Sequence, residues 1–106
     1  MMKDMVRNDL MRGMYDLIIL SCIINTKENI TQYRLISIIK EKSESSIRIN
    51  DSTIYDAVRR LKKQNYINKD SKELIITEDG LVYYNCKIEE WHSICSLMSQ
   101  FTLKKD

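Results

Sequence analysis

Residues 50–63, Asn-Asp-Ser-Thr-Ile-Tyr-Asp-Ala-Val-Arg-Arg-Leu-Lys-Lys, constrain the fold of this chain more than any other stretch. Ile54, Ala57, Val58 and Leu61 recur at i, i+3, i+4 and i+7, so a helix here has one wholly apolar face. The same period puts Ser52, Asp56, Arg59 and Lys63 on the opposite face, with Thr53, Tyr55, Arg60 and Lys62 along its flanks. Hydroxyls lie near the helix start and four cations near its end. A helix that docks by one side and offers such groups on the other suits a DNA groove. A merely solvated amphipathic helix has the same apolar stripe, so the rest of the chain must decide.

At 106 residues the chain makes one domain, large enough to bury about two-thirds of its unfolded surface. Its densest apolar run, Leu17-Ile-Ile-Leu20, is far shorter than the roughly 20 residues a bilayer span needs. The amino end, Met1-Met-Lys-Asp-Met-Val-Arg7, lacks the apolar core of a secretory signal. A soluble, cytoplasmic protein that does not engage a membrane is expected. Cys22, Cys86 and Cys95 are an odd set with no C-x-x-C spacing, and His92 is the only histidine. Neither a disulfide framework nor a metal site is expected from them. With two glycines in the chain there is no phosphate-cradling loop, and no nucleophile elbow or catalytic carboxylate pair is visible. The expectation is a protein that is not an enzyme and needs no cofactor.

The net charge of +2 hides a division along the chain. Residues 31–72 hold ten Lys or Arg against five Asp or Glu, whereas residues 78–101 hold Lys87 against Glu78, Asp79, Glu89 and Glu90. A basic middle followed by an acidic end is what a DNA-reading domain with a separate association helix would show.

The order of elements agrees. A first helix is predicted from about Lys3 to Ile24, with Leu10, Met14, Leu17, Ile18 and Ile24 on a broad apolar side. Asn25–Asn29 is polar and closes it. Thr31 fits an N-cap, its hydroxyl satisfying a free amide of a second helix over Gln32–Lys42, with Leu35, Ile36 and Ile39 inward. Ser43–Ser46 reads as a loop and Ile47–Ile49 as a very short strand. Asn50, Asp51 and Ser52 supply N-cap chemistry to the third helix. Beyond Gln64 the period turns alternating: Tyr66–Lys69 and Glu73–Thr77 are predicted strands about a turn at Asp70–Lys72. Thr77-Glu-Asp-Gly80 then opens a last helix, with acids in its first turn to meet the helix dipole.

Three helices, a hairpin and a long helix predict a mainly α chain with a small β-hairpin: an α+β winged helix-turn-helix. Residues 1–77 would be the DNA-binding domain, its first helix also contributing to a dimer interface, and residues 78–106 the dimerisation helix and tail. In that helix Leu81, Tyr84, Ile88, Trp91, Cys95 and Met98 follow a heptad seam, while Ile94, Leu97 and Phe101 add a second apolar stripe. Two stripes on a terminal helix predict burial against a second copy of the chain.

With this order in hand, the chain resembles the PadR family of winged-helix transcriptional regulators over nearly its whole length. Leu10-Met-Arg-Gly-Met-Tyr-Asp-Leu-Ile-Ile-Leu20 is similar to the family's opening helix, and Thr31-Gln-Tyr33 stands where a Gly-Tyr pair usually opens its second. Ser52-Thr-Ile-Tyr-Asp-Ala-Val-Arg-Arg-Leu61 is close to its recognition helix. Ile76-Thr-Glu-Asp-Gly80, with Trp91 eleven residues on, resembles its exit from the wing into the dimer helix. Three departures accompany the likeness. Asp56 stands where the family commonly has proline, Gln32 replaces the glycine before Tyr33, and the hairpin lacks a Gly-Arg-rich tip. The resemblance implies a dimeric, cytoplasmic regulator of transcription, usually a repressor, here at an inverted-repeat operator.

Residue roles follow. Ser52 and Thr53, at the start of the third helix, can meet a phosphate or base edge, or simply cap. Tyr55 can give its hydroxyl to phosphate. Arg59 is the candidate for base reading, because a guanidinium pairs bidentately with guanine. Arg60 suits a phosphate or an internal ion pair, and Lys63 the backbone. Asp56 is read as a partner steering Arg59 or Arg60 rather than as an acceptor for cytosine. By the resemblance Tyr33 contacts phosphate, with Gln32 and Arg34 beside it and Lys69 and Lys72 on the wing. Some members of the family hold flat aromatic ligands against a tryptophan, which would make Tyr84, Trp91 and Met98 an effector-binding set. In the plain reading Trp91 anchors the dimer. The alternatives are a MarR-type regulator, for which the chain is short, and a winged-helix protein-interaction module without DNA binding.

Overall fold

The structure, a computed structural model, describes residues 2–26, 29–42 and 49–102. Helix α1 spans Met2–Asn25, strand β1 Ile30–Thr31, α2 Gln32–Lys42, α3 Asp51–Lys63, β2 Glu73–Leu74 and α4 Glu78–Thr102. The predicted α+β winged-helix architecture is the one observed: α1, α2 and α3 pack on one another, and α4 returns along α1.

One core joins these elements. Ile54, Ala57, Val58 and Leu61 are all buried, so the apolar face of α3 is its docking face. They meet Leu35, Ile36 and Ile39 of α2, Ile19, Leu20 and Ile23 of α1, and Ile30, Ile67 and Leu74 from the sheet region. Each fully buried Ile or Leu contributes about 1.5–3 kcal/mol. The phase of α1 differs from its prediction. Its innermost residues are Asp16, Ile19, Leu20 and Ile23, whereas Met14, Leu17 and Ile18 are half-buried and Ile24 is exposed. The side chain of Leu10 lies outside the described residues. Apolar residues at 17–20 and again at 22–24 surround this helix, so period alone leaves its rotation open.

The wing also differs in detail. The antiparallel ladder pairs Ile30 with Leu74 and Thr31 with Glu73, so β1 comes from the segment before α2. The limb at Tyr66–Lys69 joins its partner through a single bridge, Ile67 to Ile76. The reason is local competition for backbone donors: Asn68 Oδ1 accepts from the Asp70 amide and Ser71 Oγ from that of Glu73. Residues 43–48, read above as a loop and the start of a short strand, lie outside the described residues, and Ile49 is in no regular element.

The caps fix how α3 and α4 meet. Asn50 alone is the N-cap of α3 and makes no side-chain cap bond; Asp51 and Ser52 lie inside the helix. At the other end Asn65 takes φ 65°, and the Tyr66 amide donates to the Leu61 carbonyl and that of Asn65 to Lys62. That pair of bonds is a Schellman stop, with asparagine in the left-handed conformation. Thr77 caps α4 as predicted, its Oγ1 accepting from the Gly80 amide at 2.9 Å. A Cβ on Gly80 would lie 2.1 Å from the Tyr66 carbonyl oxygen, so only glycine lets α4 start this close to the wing.

Candidate nucleic-acid interface

The outer face of α3 is open along its length. Ser52, Tyr55, Asp56, Arg59 and Lys63 are exposed, and Thr53 is half-buried. The Arg59 side chain is 80% exposed, its Nη1 3.6 Å from Asp56 Oδ1. The acid therefore lies beside the guanidinium one turn along, at a separation and exposure that leave Arg59 free to swing outward.

The start of α2 stands beside this face. Thr31 Oγ1 accepts from the Arg34 amide, which is the predicted cap, and Tyr33 is 82% exposed, with Arg34 exposed next to it. Gln32 turns toward α3. It lines a hollow of about 180 Å³ with Tyr55, Val58, Arg59 and Lys62. Amide, phenol, guanidinium and ammonium thus converge where two helices meet. Lys62 is the member that the sequence reading left out of the site, although it stands seven residues after Tyr55 and so shares its flank. Lys40 Nζ bonds Asp51 Oδ1 at 2.7 Å and braces α2 against the first turn of α3. Lys69 and Lys72 are exposed on the wing and do not line this hollow.

Arg60 points elsewhere. Its Nη2 donates to Asp16 Oδ1 at 2.6 Å, the internal ion pair that was one of its two readings. The other oxygen of Asp16 accepts from the Tyr83 hydroxyl at 2.7 Å. Burial, and next the Asp16 carboxylate that its hydroxyl donates to, hold Tyr83 well above the ordinary tyrosine range. Burial likewise pushes the Cys22 thiol up.

Along α4, Tyr84 faces α1, where the Ser21 hydroxyl donates to it at 3.2 Å. Trp91 and Met98 lie farther out, among residues 91–101, every one of which is exposed. The three residues stand at intervals of seven positions along α4. Among the described residues no group of three or more His, Cys, Asp or Glu could hold a metal ion, and no helix is long and apolar enough to cross a membrane.

Three packed helices, an antiparallel strand pair and a long closing helix define the winged-helix class of regulator. A solved structure of a transcriptional regulator from Clostridium thermocellum matches with a TM-score of 0.72 and 31% identity, covering 89% of this chain and 95% of that one. At that identity over nearly all of both chains, the protein belongs to the same family as this regulator. A curated protein from Lysinibacillus sphaericus, described as uncharacterised, is 27% identical over 106 residues, 92% of this chain and 95% of its own. No family model matches the chain.

Proposed function

We propose that the protein is a PadR-like, homodimeric DNA-binding regulator in the cytoplasm that represses transcription from an inverted-repeat operator. The observation that carries this reading is the row of exposed groups on α3 that continues through the Gln32, Tyr55 and Lys62 hollow onto Tyr33 and Arg34. Phosphate contacts from Tyr33, Arg34, Tyr55, Lys62 and Lys63 would set register and supply affinity, with Lys69 and Lys72 touching backbone from the wing. Arg59, with Ser52 and Thr53 nearer the helix start, would read base edges. The kinship with a transcriptional regulator supports the class.

The dimer is supported by the far half of α4. Leu97 is 55% exposed and Phe101 77%, with Ile94 and Trp91 also exposed, and a run of exposed apolar side chains along one helix is the kind of surface that marks an association site. A second copy laid along it would bury both stripes and could bring two sets of Tyr84, Trp91 and Met98 together around a flat aromatic effector. Residues 1–77 would then be the reading domain and 78–106 the dimer helix.

Asp56 favours one other reading, a protein-interaction module, because its exposed carboxylate lies in the middle of the proposed DNA face. A gel shift with the promoter of the protein's own operon separates the two. Retardation of that duplex but not of a scrambled one supports the regulator, and retardation of neither supports the module.

A further inference from the structure

We infer that Asp16 is a positioning residue that withholds Arg60 from DNA and, through Tyr83, makes that restraint depend on where α4 sits; the inference rests on the DNA-binding reading above. Asp16 is 5% exposed and is the buried acid of the α1 face. Its two carboxylate oxygens serve two different helices, Oδ1 taking Arg60 of α3 and Oδ2 the Tyr83 hydroxyl of α4. Tyr83 is itself fixed, stacked on Tyr66 with ring centroids 4.3 Å apart and an interplanar angle of 13°. The Lys87 ammonium lies 5.6 Å from the same ring. A displacement of α4 along α1 therefore draws the phenol off Asp16 and disturbs the partner of Arg60.

The other end of the relay borders the proposed DNA face. Arg60 is adjacent to Arg59, sits on the flank of α3, and keeps 30% of its side chain exposed. A hollow of about 260 Å³ bounded by Asp16, Arg60, Gln64, Tyr66 and Tyr83 gives the guanidinium room to turn. Released from Asp16, it becomes one more cation for phosphate, which raises affinity for every sequence alike and so erodes selectivity. A buried ion pair is poor evidence for stability, since an apolar replacement often serves as well. This one joins α1 to α3 and, with the Tyr83 bond, to α4, and a switch or register role accounts for it better.

The test measures fluorescence anisotropy on the operon promoter duplex and on a scrambled duplex across a salt series, with sedimentation of each variant alongside. Arg60→Gln should bind the scrambled duplex as wild type does, because the guanidinium is already engaged. Weaker binding with a shallower salt slope would mean that Arg60 contacts DNA in the resting protein, and it overturns the inference. Asp16→Asn should bind the scrambled duplex about 3- to 10-fold more tightly, with a salt dependence steeper by about one ion. That gain should vanish in Asp16→Asn/Arg60→Gln; no gain, or one that persists without Arg60, overturns withholding. Tyr83→Phe changes no charge and should bind the scrambled duplex more tightly than wild type, by less than Asp16→Asn and with sedimentation unchanged, a gain that should vanish in Tyr83→Phe/Arg60→Gln and that also decides the matter should Asp16→Asn fail to fold. Scrambled-duplex binding by Tyr83→Phe equal to wild type removes the α4 link. Wild type with no preference for the promoter sinks the DNA reading itself, a failure distinct from wild-type preference with unmoved variants.

Discussion

The Thr77 hydroxyl donates to the Asn65 carbonyl at 2.6 Å while accepting from the Gly80 amide at 2.9 Å. One side chain thus joins the stop of α3 to the start of α4. The Thr77 amide also donates to the Tyr66 carbonyl, so the polypeptide is stitched twice at this corner. The corner sets the angle between the proposed reading helix and the proposed dimer helix, which is the angle that a two-fold operator would measure.

Thr77→Val keeps the shape but loses the cap and the tie. It should destabilise the protein by about 1–2 kcal/mol, read as a lower urea midpoint with unchanged slope.

Gly80→Ala should be costlier. Its Cβ is aimed at a backbone carbonyl that cannot yield as a flexible side chain would, so a loss of about 3 kcal/mol is expected in the same experiment.

Tyr83 should mark the alkaline limit of the fold. Its hydroxyl is held neutral above the ordinary value of 10.0, by burial first and then by the Asp16 bond. A raised pKa in the folded state contributes stability that is complete below the unfolded value and is lost as pH climbs from there through the folded one. Urea midpoints of wild type should therefore fall above about pH 10, and in Tyr83→Phe that portion of the fall should disappear. Parallel curves for the two proteins would refute the assignment.

Trp91, exposed in the single chain, should be covered in the proposed dimer. Trp91→Ala is expected to weaken self-association by about 2–4 kcal/mol, seen by analytical ultracentrifugation. If it lines an effector pocket instead, the dimer should survive Trp91→Ala, and planar cationic dyes should quench this sole tryptophan in the wild type.

How much of this was legible in the sequence depended on whether one pattern had one solution. The α3 face did: Ile54, Ala57, Val58 and Leu61 are buried as their spacing requires. The cap at Thr77 and the bounds of α2 also follow from local chemistry. Helix α1 did not, because apolar residues lie on several of its sides and the deciding residue, Asp16, is an acid. A buried carboxylate becomes readable only once Arg60 and Tyr83, 44 and 67 positions away, are known to reach it. The β1 partner of β2 was hidden for a similar reason. Two residues, Ile30 and Thr31, have no period of their own, and Thr31 was already accounted for as a cap. In the interface, residue types pointed to Arg59 and Tyr55, but the inclusion of Lys62 depends on α2 delivering Gln32 beside it.

The most direct test of the DNA-binding account is anisotropy of the operon promoter duplex and its scrambled counterpart with wild type and Arg59→Ala. Wild type should prefer the promoter, and Arg59→Ala should lose about 1–3 kcal/mol of that preference while binding the scrambled duplex nearly as before. A preference that survives Arg59→Ala unchanged would contradict base reading by the exposed face of α3.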